Sequence, residues 1–288
     1  MWLKYLTYII LLISVLSLWL PVKGKFKLWQ LFLSISLILS FVSNIANLIA
    51  ILTILLFFYL VVLYHKSSTK WKYALWSLVF VLGLILELHL IPGFDNLLVL
   101  DKIQFTPDAL PFTLYLNLDK TIVGLIIIGL TLDLDLASTR GEWKILLLQV
   151  FYRLPIVILA IVVLSIAFGY IKFAPKIPQN LWIWIINNLF FTCVAEEGLF
   201  RGFFQESLNQ LKYKYSENIA ILIPAVFFGV MHYPGGLKYV ILATIAGALY
   251  GWIYKVTKRI EASVLAHFML NLTHILFFTY PAVNKLCN

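Results

Sequence analysis

Charge is the scarcest commodity in this sequence: 12% of its 288 residues are Asp, Glu, Lys or Arg, against 62% hydrophobic. Soluble domains usually carry about 25% charged residues. That shortage excludes a water-soluble fold and points to an all-α, polytopic transmembrane helix bundle. Cysteine is nearly missing as well. Cys193 lies in an apolar run and Cys287 near the end, with no C-x-x-C pair, which argues against a disulfide framework or a thiolate metal site. The zinc-peptidase pattern H-E-x-x-H is missing. There is no internal repeat, no low-complexity tract and no sign of a separate soluble domain. Residues 5–20 could pass for a signal-peptide core, but the following LPVKGKFK lacks a small-x-small cleavage site, so a retained first helix is expected. Leu286-Cys287-Asn288 does not place cysteine fourth from the end, so no prenylation signal is expected there.

The charge that is present is basic, 22 Lys and Arg against 13 Asp and Glu, for a net charge of +9. It lies in short loops between apolar runs and not in one patch, which fits anionic membrane lipid and not nucleic acid. A span needs about 20 apolar residues. Candidate spans are 3–20, 27–43, 47–65, 72–90, 120–137, 145–171, 181–204, 218–233, 237–255 and 262–280, so about 8–10 are expected. The run 27–65 is too long for one span and divides at Ser43-Asn44-Ile45-Ala46-Asn47, whose polar residues suit a tight turn. Lys23/Lys25/Lys27, Lys66/Lys70/Lys72, Arg140/Lys144, Lys212/Lys214 and Lys255/Lys258/Arg259 then fall on one side, and the acidic 91–119 loop on the other. The positive-inside rule makes the lysine side cytoplasmic and puts both termini outside. Within 91–119, Ile91-Pro92-Gly93 opens a turn and Phe112 to Leu118 alternates with the period of a strand. A short hairpin is expected, either as a lid over the outer face or as an interfacial loop with no role.

Against this apolar background one stretch stands out. Leu181 to Phe204 reads as buried helix, yet it holds Glu196, Glu197 and Arg201. An ionisable residue at the bilayer centre costs ~2.5–3.5 kcal/mol on insertion scales and is a functional hypothesis by default. Glu197 and Arg201 stand at i and i+4 in the favourable acid-first order, which leaves Glu196 about 100° round the helix. Later come Phe228-x-x-x-His232, His267-x-x-x-Asn271 and His274. Glu197 precedes Lys212 by 15 residues and His232 follows Tyr215 by 17; at ~1.5 Å per residue both lie ~22–26 Å from the same loop. His267 follows Arg259 by eight residues, ~12 Å, and is expected to be shallower.

A carboxylate beside an imidazole can hold and deprotonate water, and a second His with an Asn amide can stabilise an oxyanion. Each of these features also has a plain alternative. Glu197–Arg201 could be a structural pair, His232 an interfacial helix-end residue, and His267/Asn271 interhelical glue. His274 is expected to serve packing or the rim of a site. What favours chemistry is their joint occurrence, in order.

These motifs resemble the CPBP family of intramembrane proteases, the CAAX-protease and bacteriocin-processing group also called Abi or Rce1-like. Its pattern of E-E-x-x-x-R, F-x-x-x-H and H-x-x-x-N on successive membrane helices is met by Glu196-Glu197-x-x-x-Arg201, Phe228-x-x-x-His232 and His267-x-x-x-Asn271. The resemblance covers about 180–275. It implies that residues 172–288 form the protease core and 1–171 a set of N-terminal transmembrane helices with an extracytoplasmic loop near 91–119. It implies that Glu196 and His232 activate the attacking water, that Glu197 and Arg201 support and orient them, and that His267 and Asn271 form the oxyanion hole. Members are often described as metalloproteases, but a metal-free glutamate mechanism is favoured here and no cofactor is expected. Zinc would require Glu196, His232 and His267 to come within ~2.0–2.2 Å of one ion.

The expected activity is therefore an intramembrane endopeptidase acting on a membrane-associated peptide or protein, with a bacterial plasma membrane as the expected location. Expected partners are membrane lipid and the substrate, with no nucleic acid. Two rivals come from other classes. A catalytically silent scaffold would bind a membrane partner without needing all six motif residues. A proton-coupled transporter could use the same Glu and His side chains as a relay, but the paired broken helices of transporters are not visible in the sequence.

Overall fold

A computed structural model describes residues 1–20, 27–68, 70–131, 134–211 and 215–284. Lys23, Lys25, Lys212, Lys214 and Cys287, which entered the reading of the loops and cysteines, lie outside the described residues.

Helices form where the apolar runs predict them: α1 Trp2–Leu16, α2 Leu28–Val42, α3 Leu48–Lys66, α4 Trp71–Glu87, α5 Leu118–Leu130, α6 Arg140–Ala167, α7 Leu181–Asn209, α8 Ser216–Met231, α9 Leu237–Thr257 and α10 Ile260–Phe277. Among the described residues six of them, α1 with its short extension to Trp19, α3, α6, α7, α9 and α10, are long and apolar enough to cross a membrane; α2 and α8 are shorter apolar helices. The chain is an integral, multi-pass membrane protein. Leu52, Leu55 and Leu56 on α3 and Phe151 and Leu159 on α6 stand exposed, as side chains facing hydrocarbon do.

The boundaries have local causes. The expected turn between α2 and α3 is present. Asn44 adopts a left-handed φ of 58°, and Asn47 caps α3 by accepting from the Ala50 backbone N–H at 3.1 Å. Gly93 follows Pro92 with φ +101°, where a Cβ would lie 2.1 Å from Asn47 Oδ1; only glycine tolerates both demands. The 91–119 segment contains the expected strands, β1 Leu97–Ile103 and β2 Phe112–Leu116, paired in a two-stranded sheet. α6 starts five residues earlier than the expected 145 because Thr139 and Glu142 form a capping box, which satisfies the first free backbone donors.

The chain divides into two compact units. The first comprises Met1–Leu97, Leu116–Ser138 and Phe190–Phe203, and α5 is its hub: from Thr121 to Gly129 every side is buried, as expected of a helix that is apolar all round. The start of α5 is tied down by one polar network. The Leu118 N–H donates to Asn96 Oδ1 at 2.9 Å, and the buried Asp119 carboxylate accepts from Asn96 Nδ2 at 3.0 Å and from His89 Nδ1 at 2.8 Å.

The second unit comprises Leu98–Tyr115, Thr139–Leu189 and Phe204–Asn288. In it α8 packs on α9, α9 on α10, and α6 on both. Arg259 at the head of α10 pairs with Glu142 at the head of α6 at 3.1 Å. The hairpin joins the C-terminal segment through an Ala109–Val283 bridge, with the Phe105 and Phe112 rings against Tyr280.

Candidate active site

α7 is not the uniform α-helix that its hydropathy suggests. Asn187–Cys193 and Gly198–Gln205 are wound as π-helix, and the single α-turn between them, Val194–Glu197, carries both glutamates. Such widened turns are rare and concentrate at functional sites. The constant rise used to place Glu197 in depth does not hold along α7.

Within the first unit this turn is buried. Glu197 has no exposed surface and Arg201 is 1% exposed; the predicted i,i+4 pair forms at 3.1 Å from Arg201 Nε to Glu197 Oε2. Removing one partner of such a pair leaves a buried charge that costs ~3–5 kcal/mol. Glu196, 5% exposed, faces a different cation. Lys120 Nζ on α5 donates to Glu196 Oε1 at 2.5 Å.

Two glycines make that meeting possible. A Cβ on Gly124 would lie 2.4 Å from Ala195 Cα and 2.5 Å from the Val194 carbonyl oxygen, and one on Gly198 would lie 2.8 Å from Gly124 Cα. The α5 and α7 backbones therefore touch directly, and Lys120, one turn before Gly124, is carried to the carboxylate. Glu87 at the end of α4 is a further buried carboxylate in this unit, 3% exposed, beside Asp119, Glu196 and Glu197.

Within the second unit His232, His267, Asn271 and His274 line one cavity of about 70 Å³, together with Phe228, Tyr239 and Tyr250. His232 follows the last residue of α8, and its Nδ1–H donates to the Phe228 carbonyl at 2.7 Å. In the neutral ring that hydrogen bond leaves the lone pair on Nε2. The Phe228 ring touches His232 at 4.7 Å and His267 at 5.8 Å between centroids; this is what the phenylalanine of F-x-x-x-H does. His267, expected to be shallower than His232, shares this cavity with it. The eight-residue count follows α10's own axis and ignores how α8 and α10 incline to one another. The Tyr250 ring stacks on His267 at 4.7 Å and 17°, which fixes the imidazole plane. Asn271 Nδ2 donates to Asn188 Oδ1 at 3.3 Å. His274 Nε2–H donates to the Thr279 carbonyl at 3.0 Å and its ring packs on Tyr280, the packing role expected of it.

Sequence reasoning missed Lys120, Asn188, Tyr250 and Glu87. For Lys120 and Glu87 the signal was available: each is a charge in an apolar run, and the rule applied to Glu196 applies equally to them. Asn188 and Tyr250 act through contacts that no local pattern reveals.

Among the described residues no group of three or more His, Cys, Asp or Glu is placed to hold a metal ion, and the Glu196 carboxylate already carries an ammonium.

Residues 178–273 match the family described as type II CAAX prenyl endopeptidase Rce1-like. The match covers about a third of the chain and falls on the stretch that holds all three motifs, so the resemblance read from them is borne out. It is a protease family. Comparison with curated proteins and with solved structures gave no match.

Proposed function

We propose that the protein is a glutamate-type intramembrane endopeptidase. The observation that carries the reading is the buried Glu196-Glu197 turn, each carboxylate with its own cation, inside the segment that matches a protease family. Two buried ion pairs are poor value for stability alone, because apolar residues of similar volume often do as well or better. Their presence together on one helical turn supports a chemical role.

In this reading Glu196 is the general base. It takes a proton from water, the oxygen adds to the scissile carbonyl, and the tetrahedral oxyanion accepts hydrogen bonds from His267 and the Asn271 amide. The adduct collapses as the departing amine takes up a proton, returning the base to its ionised form. His232, with its lone pair on Nε2, helps to hold the water and to move that proton. Glu197 and Arg201 keep the turn rigid. The small, mostly apolar cavity of the second unit, about 70 Å³ with a few polar groups, is of a size for one small substrate side chain. That substrate is a membrane-associated peptide or protein segment, such as a bacteriocin leader in a bacterial plasma membrane or a prenylated tail in a eukaryotic one.

The test compares new peptide termini in membranes carrying wild-type protein and Glu196→Gln, with and without a zinc chelator. Termini that vanish in the variant and survive chelation support the metal-free reading, and loss on chelation restores zinc. Identical termini in both proteins sink the protease and leave the scaffold, which would still bind its partner. A transporter would instead lose flux in Glu196→Gln.

A further inference from the structure

The Lys120–Glu196 pair joins two residues 76 positions apart, and Lys120 lies outside the segment matched by the protease family. Its setting sorts the surrounding charges. Asp119, next in sequence, is engaged by His89 and Asn96, and Glu197 by Arg201. Lys120 is directed to Glu196, with side-chain exposures of 14% and 7%.

We propose that Lys120 is a positioning residue for Glu196, delivered from α5 to fix the orientation of the general base and to balance its charge. The proposal rests on reading Glu196 as that base. A carboxylate gripped on Oε1 by a charged donor cannot swing freely about its side-chain torsions, and charge-assisted hydrogen bonds are about twice as strong as neutral ones. The grip is built into the backbone. Gly124 and Gly198 admit the two helices to contact, and the lysine sits one turn from that contact. A purely structural fastening of α5 to α7 would not need a cation at this carboxylate. The two glycines already supply the packing, and a buried ion pair is weak evidence for stability.

The experiment uses the full-length protein in membranes as wild type, Lys120→Met, Lys120→Arg and Glu196→Gln. Methionine keeps an unbranched stem and removes the charge. Cleavage is followed on a synthetic peptide spanning the most abundant Glu196-dependent terminus. Lys120→Met is expected to lower kcat by at least about tenfold with KM within about twofold, the signature of an interaction expressed in the transition state, and Lys120→Arg to recover most of it. Acylation of Lys120 by an amine-reactive ester, read by mass spectrometry, is expected to rise several-fold in Glu196→Gln because its partner is gone. Unchanged kcat in Lys120→Met, an arginine variant no better than methionine, or equal acylation in wild type and Glu196→Gln would each overturn the proposal. Wild-type cleavage by Glu196→Gln removes the base itself and with it the protease reading. Loss of cleavage in Glu196→Gln beside full activity in Lys120→Met overturns the lysine alone.

Discussion

Replacing Gly124 by alanine tests whether the α5–α7 contact is what assembles the buried charges. On an exposed helix the change would gain ~1 kcal/mol of helix propensity. Here the new methyl would stand 2.4 Å from Ala195 Cα, 2.5 Å from the Val194 carbonyl oxygen and 2.9 Å from the Ala195 nitrogen. All three are backbone atoms of a buried turn, so no side chain can rotate away. Restoring a contact of ~3.5 Å requires α5 and α7 to separate by about 1 Å. Overpacking typically costs ~1–3 kcal/mol, and an obstacle made of backbone belongs at the upper end. After the propensity gain is subtracted, a net loss of ~1–2 kcal/mol remains, an apparent Tm lower by roughly 2–8 °C. Lysine's flexible stem can span the extra ångström, so cleavage should fall less than in Lys120→Met. Gly141→Ala is the control. It is exposed in the first turn of α6, with Thr139 Oγ1 at 4.0 Å as its nearest neighbour, and should be neutral or slightly stabilising. Thermal unfolding in one detergent at one scan rate gives the comparison. Gly124→Ala as stable as Gly141→Ala would refute the close approach and the account of how Lys120 reaches Glu196.

Three further outcomes follow from the same geometry. Arg201→Met strands Glu197 and should cost ~3–5 kcal/mol, while Glu197→Leu combined with Arg201→Met should recover most of the apparent Tm; a double variant no more stable than the single would contradict the pairing. In the second unit, a Cβ on Gly229 would lie 1.9 Å from Thr244 Oγ1 and 2.7 Å from the Val240 carbonyl oxygen. Gly229→Ala should therefore lower the apparent Tm, and Thr244→Ala should restore only part of it, because the carbonyl remains. Tyr250→Phe keeps the ring stacked on His267 and should cleave nearly as wild type, whereas Tyr250→Ala should lose up to roughly tenfold in kcat; equal rates would show that the stack does not orient His267.

Much of the fold was readable because hydropathy is a one-dimensional property. Runs such as Leu48–Lys66 and Ile260–Phe277 declare themselves by composition, and Asn47 or Thr139 mark helix starts through side chains that cap their own neighbours. The Glu197–Arg201 pair was equally readable, since both partners lie within one turn. What stayed hidden depends on contacts across long sequence intervals. Lys120 gains meaning from a backbone contact between Gly124 and Ala195, and Tyr250 from a ring on the next helix. The π-winding of α7 has no signature in residue type: Asn187–Cys193 and Gly198–Gln205 read as ordinary apolar helix.

The placement of Lys120 also bears on how far the protease-like third of the chain can stand alone. Residues 178–273 contain both glutamates and Arg201, so that segment brings two buried anions on adjacent residues and one local cation. Left so, Glu196 and Glu197 would repel one another in a setting where one guanidinium cannot serve both with good geometry. The structure resolves this by assigning Arg201 to Glu197 and recruiting Lys120 from α5 for Glu196. α5 is in turn buried on nearly every side by the helices of the first unit, and its first residues are pinned by Asn96 and His89. The N-terminal helices thus do more than anchor the chain in lipid: they supply the charge and the rigid mount on which the buried acidic turn depends. A fragment beginning near residue 172 would carry every motif residue and lack the cation at Glu196. It should therefore be inactive even if it inserts and folds, and co-expression with residues 1–171 should restore cleavage only when that piece retains Lys120.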